Sequence, residues 1–210
     1  VNVTRIIRES LIIFTRYPEP GKTKTRLIPA LGAEKAALLQ RQMTEHTLAQ
    51  VKQLQAQRSV TVEVSFAGGN STLMVQWLGN DLIYTAQGEG SLGNRMARSL
   101  AHTFHDRADY AVIIGTDCPG LNAELLAEAF DQLHWAYDLV LGPAVDGGYY
   151  LLGLRRFIPE LFVGVNWGSA EVLSQTTAIA KQLNLSVAYL PQLPDLDRPE
   201  DLYIWEQRSS

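Results

Sequence analysis

"YAVIIGTDCPGL", Tyr110 to Leu121, is an apolar run of strand length that breaks into a polar turn carrying Asp117, followed by Cys118 and Pro119. Segments of helical period flank it: "LGNRMARSLAHTF" (92–104) before it, and "NAELLAEAFDQLHW" (122–135) after it, with Asn122 placed as an N-cap. A strand held between two helices is the unit from which α/β sandwiches with largely parallel sheets are built. Open sheets of this kind bind ligands at the carboxyl ends of their strands, which is where Asp117 stands. A carboxylate there can hold a hard divalent cation such as Mg2+ or Mn2+ through oxygen, or it can simply cap the adjoining turn.

The same alternation extends outward along the chain. "LIIFTR" (11–16) reads as a buried first strand, residues 33–57 as one long amphipathic helix, and "VTVEVSFAG" (60–68) as a second strand. "STLMVQWLG" suggests a short helix, and "LIYTAQ" (82–87) a third strand. Past Asp138 the rhythm changes: "DLVLGPAVDGGYYLLGL" holds two short strands joined by a Gly-Gly turn, a hairpin or edge excursion. A helix with a cap near Ser169, a late strand in "LSVAYLP" and a C-terminal helix with Pro199 in its first turn complete the pattern. The 210 residues fit a single domain, 1–210. Trp77, Trp135, Trp167 and Trp205 are read as core or interface, with core the first expectation.

Composition narrows the functions open to such a chain. With 46% hydrophobic and 19% charged residues it has the balance of an ordinary globular protein. A net charge of -4 argues against general nucleic-acid binding, which calls for a cationic excess. "LIIF" is too short for a membrane span, and no apolar run after it is long enough for one. One cysteine excludes an internal disulfide framework and suits a reducing cytoplasm. The oligomeric state is not encoded legibly.

"PEPGKTKTRL", Pro18–Leu27, ends its first half in "GKT", as a P-loop does. The P-loop glycine five residues earlier is here Arg16, and Pro18 and Pro20 remove backbone donors that a phosphate cradle would use. What remains is a stiff turn with four cations, Arg16, Lys22, Lys24 and Arg26, which is either a solvated basic loop or a phosphate contact. "GEGSLG" (88–93) matches a dinucleotide fingerprint but comes after the third strand and carries Glu89, so it reads either as a nucleotide-contacting loop or as a flexible left-handed turn. Gly88 and Gly93 would allow close backbone approach there, with Arg95 touching phosphate or ribose. Asp146, on the Gly-Gly turn, could orient an acceptor hydroxyl or act as general base, or could serve turn geometry alone. Asp195 and Asp197 form a second acidic cluster after a strand. Asp197 could share a metal with Asp117, or could cap the last helix with Glu200.

In this order, "FTRYPEPGKTKTRL", "LGNRM", "IIGTDCPGL", "DGGYYLLGL", "NWGSAEVL" and "LPDLDRPEDL" resemble the bacterial GT-A-type glycosyltransferase-like family of nucleotide-diphospho-sugar transferases. The resemblance runs from Phe14 to Leu202 and implies a Rossmann-like, three-layer α/β/α sandwich of GT-A type that binds a nucleotide at the carboxyl edge of its sheet with Mg2+ or Mn2+. It implies Lys24 and Arg26 on the phosphates, Asp117 as a metal ligand, and Asp197 as a looser match to the later metal aspartate of sugar-acid cytidylyltransferases. The chain departs from the pattern in having no Asp-x-Asp at 117 and no glycine-rich "GG-x-S-x-R" loop. The expected activity is metal-dependent glycosyl transfer from a nucleotide-sugar donor to a small acceptor. Nucleotidyl transfer with release of pyrophosphate is the alternative, and a non-catalytic nucleotide-binding module a further one.

Overall fold

The structure, a computed structural model, describes residues 7–207. One seven-stranded sheet organises them. Its strands are β1 (Glu9–Arg16), β2 (Val60–Ala67), β3 (Ile83–Ala86), β4 (Tyr110–Ile114), β5 (Leu139–Pro143), β6 (Tyr149–Leu154) and β7 (Val187–Tyr189), in the spatial order β3-β2-β1-β4-β6-β5-β7. β1 pairs in parallel with β2 and β4, and β2 with β3; β6 runs antiparallel to both β4 and β5, and β7 is parallel to β5. β4 therefore lies at the centre. The helices are α1 (Ile28–Leu31), α2 (Ala33–Gln57), α3 (Ser71–Leu78), α4 (Leu92–His105), α5 (Ala123–His134), α6 (Val172–Gln182) and α7 (Leu202–Gln207).

Both faces of the sheet are covered, which is why its strands read as unbroken apolar runs. Leu11 and Ile13 of β1 and Val112 and Ile114 of β4 join the core under α2, α3 and α5, with Leu48, Val51, Met74, Leu126 and Phe130. Ile12 and Ile113 point the other way, to Met96 and Leu100 of α4 and Ala180 of α6. The result is a Rossmann-like three-layer sandwich. In a third, smaller cluster, Leu27, Ala36, Leu39 and Met43 enclose Leu196, with Ile28, Leu31, Leu202 and Trp205 at its rim. Leu27 and Leu196 are wholly buried, each burial contributing on the order of 1.5–3 kcal/mol. Together they clamp the turn after β1 to the segment before α7.

Several expectations shift by a few residues. β4 ends at Ile114; one more cross-strand bond, from Gly115 N–H to Tyr150 O of β6, follows before the chain turns outward. Asn122 caps α5 by accepting from Leu125 N. Ser169 caps a tight turn instead of a helix, accepting from Glu171 N, and α6 begins at Val172. The last helix is capped by Asp201, which accepts from the backbone N–H groups of Asp197 and Arg198 and so relieves Asp197 of that role. None of the four tryptophans is fully buried, and Trp135 is 72% exposed, since α5 ends there and Ala136 turns the chain away at φ 87°. Among the described residues, no helix is long and apolar enough to cross a membrane.

Candidate active site

A cleft of about 660 Å³ opens over the carboxyl edge of the sheet. Its lining includes Arg16, Lys24, Arg26, Arg95, Asp117, Asp146 and Asp197. Seven of the residues singled out in the sequence are thus brought together from six segments of the chain. Gly88 and Gly93 are not among its walls.

Lys24 is the most constrained member. It adopts a left-handed conformation (φ 48°, ψ 44°), which costs a non-glycine residue on the order of 1 kcal/mol or more and needs strong local support to persist. The support is visible. Thr23 Oγ1 donates to Tyr17 O, and the Lys24 side chain, 3% exposed, places Nζ 2.8 Å from Asp117 Oδ1 and 2.5 Å from Leu196 O. Leu196 N in turn donates to Asp117 O at 2.8 Å. Arg26 pairs through Nη1 with Asp197 Oδ2. The buried anchors Leu27 and Leu196 put these two ion pairs side by side. Each cation bridges the basic turn to the acidic side of the cleft.

Two further carboxylates complete that side. Asp146 sits on the β5–β6 turn, where its Oδ1 accepts from Gly148 N at 2.8 Å, and its own N–H donates to Asp195 Oδ1. Gly147 (φ 89°) is required here, because a Cβ would fall 2.8 Å from Ala170 Cα. Burial, and then the charge of Asp146, hold the Asp195 carboxyl above the usual carboxylate range. Burial, followed by the charges of Asp117, Asp195 and Asp146, pushes the Cys118 thiol far up, so it is no nucleophile. Hard oxygen donors of this kind suit Mg2+ or Mn2+. Among the described residues, however, no three His, Cys, Asp or Glu side chains are gathered closely enough to hold a metal by themselves. Asp117 and Asp197 each keep one carboxylate oxygen clear of the ion pairs, and a metal would need those oxygens together with ligand phosphate.

The opposite end of the cleft, over β1 to β3, is basic and neutral-polar. Arg95 Nη1 donates to Gln87 Oε1 at 2.6 Å, while Gln87 Nε2 is fixed on Thr15 O and Ser65 O. Gly88 makes room for Arg98, whose Nη1 donates to Gln87 O, and Gly93 makes room for the Trp167 indole. Trp167 stacks on Phe162, meets Tyr149 edge-on, and forms an aromatic wall of the cleft. The close approach that the glycines of "GEGSLG" permit is therefore to protein side chains. In the floor, the buried Gln40 Nε2, with two N–H groups, lies within hydrogen-bond reach of three hydroxyls, those of Thr15, Thr44 and Thr116.

A family model described as "Uncharacterized protein conserved in bacteria (DUF2064)" matches residues 48–169, more than half of the chain. The chain belongs to this family. A structure of a candidate nucleotide-diphospho-sugar transferase from Desulfovibrio desulfuricans G20 is 34% identical, covering 98% of this chain and 90% of that one, with a TM-score of 0.88. The fold extends to remoter structures. 4-Diphosphocytidyl-2C-methyl-D-erythritol synthase from Anaerococcus prevotii DSM 20548 is 9% identical over 97% of this chain and 99% of that one, with a TM-score of 0.65. Glucosyl-3-phosphoglycerate synthase from Mycobacterium tuberculosis, in complex with Mn2+, UDP and phosphoglyceric acid, is 13% identical over 93% and 73%, with a TM-score of 0.56. No curated protein matches. The sandwich of this family member is thus shared with these structures.

Four cleft residues escaped the sequence reading as site members. Gln40 and Gln87 lie within or at the end of regular elements and carry no motif. Trp167 read as core, and Asp195 was overshadowed by Asp197. An amide in a helical stripe otherwise made of apolar residues and threonines, as Gln40 is, was the one signal available.

Proposed function

We propose that this DUF2064 member is a metal-dependent transferase that moves a glycosyl group from a nucleotide-sugar donor to a small hydroxyl acceptor. It would work in the reducing compartment that its single buried thiol suits. The observation that carries the reading is the pairing of Lys24 with Asp117 and of Arg26 with Asp197 inside one cleft at the carboxyl edge of the sheet. Asp117 and Asp197 would hold Mg2+ or Mn2+, which when bound supplies Lewis-acid neutralisation of the donor's diphosphate. Lys24 and Arg26 turn from their carboxylate partners towards the same oxygens and stabilise the charge that develops on the leaving nucleoside diphosphate. Asp146 keeps one carboxylate oxygen outside its turn bond. That oxygen takes the proton of the acceptor hydroxyl as its oxygen bonds to the anomeric carbon and the bond to the diphosphate breaks with its electron pair.

The test is a thermal-shift panel of nucleotides and nucleotide sugars with and without Mn2+, followed by turnover of whichever ligand stabilises the protein. Asp117→Asn is expected to fold normally, to lose the Mn2+-dependent part of the shift, and to turn over about 10²–10³-fold more slowly. Full activity of folded Asp117→Asn would overturn the metal assignment. Nucleotidyl transfer is the second reading, favoured by Cys118 and Pro119 standing, both buried, where an Asp-x-Asp would continue. Pyrophosphate release from a nucleoside triphosphate, with no turnover of any sugar donor, would select it.

A further inference from the structure

We infer that Arg16 and Arg95 form an anion-binding subsite at the β1–β3 end of the cleft, distinct from the carboxylate-paired cations Lys24 and Arg26, that takes a phosphoryl or carboxylate group of a substrate. The subsite rests on geometry; only the assignment of its anion to donor or acceptor rests on the transferase reading above.

The cleft distributes its charge unevenly. Lys24 and Arg26 are neutralised in place by Asp117 and Asp197. Arg16 and Arg95 line the same cleft, and among the described residues neither forms an ion pair with a carboxylate. Among the described residues, the Arg16 guanidinium has no hydrogen bond or ion pair, and Arg95 makes only neutral contacts, to Gln87 Oε1 at 2.6 Å and Ser91 O at 3.4 Å. A guanidinium has five N–H donors in a planar fork suited to two oxygens at once, so most of the donors on this pair are left for a ligand.

The pair is also held in place for that purpose. Gln87 is 5% exposed, and its Nε2 is committed to Thr15 O and Ser65 O, which leaves Oε1 aimed at Arg95. A carboxylate at position 87 would cancel the charge; an amide orients the guanidinium and preserves it. Gln87 is thus a positioning residue. Burial, and then the neighbouring charges of Arg16 and Arg98, lower the Arg95 pKa, so like charges are crowded in a half-enclosed place. Arg98 is itself tied to carbonyls, those of Gln87 and Glu89. An anion between Arg16 and Arg95 relieves the crowding, and its binding should weaken steeply with ionic strength.

The experiment is calorimetric titration of the intact protein with inorganic phosphate in buffer stripped of metal ions on a chelating resin, so that no free polycarboxylate competes for the subsite. Wild-type protein is expected to bind, with affinity falling as salt rises. Arg16→Gln and Arg95→Gln should each weaken binding at least tenfold, Arg95→Lys less, and Arg26→Gln less than twofold. The far-ultraviolet spectrum and melting temperature of each variant establish that it is folded. Absence of phosphate binding in wild type, unchanged binding in Arg16→Gln and Arg95→Gln, or an equal loss in Arg26→Gln would each overturn the subsite. None of these readouts needs turnover, so the subsite can fail while the transferase reading stands, and the reverse. If a nucleoside diphosphate loses the same tenfold in Arg95→Gln, the anion belongs to the donor; if a phosphorylated or carboxylated acceptor does, it belongs to the acceptor.

Discussion

Replacing Gly93 by alanine gives the sharpest test of how the cleft wall is built. A Cβ at 93 would lie 2.7 Å from Trp167 Cζ2 and closer still to Nε1 and Cε2. Ordinary carbon contacts are about 3.5–4.0 Å, so the indole must retreat by about 1 Å or more from its place between α4, Phe162 and Tyr149. Overpacking of this kind costs about 1–3 kcal/mol. Against that, Gly93 lies in the first turn of α4 with helical backbone, where alanine gains up to about 1 kcal/mol of propensity. The net expectation for Gly93→Ala is a loss of about 0–2 kcal/mol, a fall in Tm of a few degrees for a chain of this length. The sign must reverse once the clash is gone: in a Trp167→Ala background, Gly93→Ala should stabilise by up to about 1 kcal/mol. Thermal and urea melts of the four proteins close the cycle, with a coupling of about 1–3 kcal/mol expected. Equal effects of Gly93→Ala in both backgrounds would refute the reasoning.

Two further predictions concern parts of the fold away from the cleft. Arg58→Ala strands the carboxylate of Glu9, which is 5% exposed and held by Arg58 Nε and His134 Nε2, both at 2.6 Å; a loss of about 3 kcal/mol by urea denaturation is expected, and a loss below about 1 would mean that His134 suffices. At Asp138, burial raises the carboxyl pKa, but hydrogen bonds from Ser186 N and Oγ and from Arg156 outweigh it and leave the pKa below its usual value. A carboxyl lowered in the folded state adds stability above the unfolded pKa, and that stability is lost as pH falls from about 3.9 through the lower folded value. Ser186→Ala should therefore cost about 1 kcal/mol at pH 7, and the deficit should shrink on acidification through that window; a pH-independent deficit would count against it.

The architecture was legible because it depends on local signals. Residues 11–14 and 111–114 are apolar on both faces, and that is what a sheet covered on two sides requires. Asn122 announced its helix, and the Gly-Gly turn its hairpin. At the cleft, the residues drawn from the sequence were charged groups at strand ends, and Lys24, Arg26, Asp117, Asp146 and Asp197 do share one cavity. What stayed hidden was partner choice. Nothing in "GKTKTRL" says that Lys24 will take Asp117, because that contact depends on Leu27 and Leu196, 169 positions apart, finding the same pocket. The glycines at 88 and 93 misled for a related reason: a glycine signals close approach without naming what approaches.

The clamp around Leu196 bears on the order in which this protein becomes competent during synthesis. β1, β2, β3 and β4 can pair, and α2 can dock, once a little over half of the chain has emerged. Lys24 and the Asp117 carbonyl must then wait, without their eventual partner, until the segment around Leu196 arrives to receive one and satisfy the other. A nascent chain therefore holds most of its sheet before the edge of its cleft is complete.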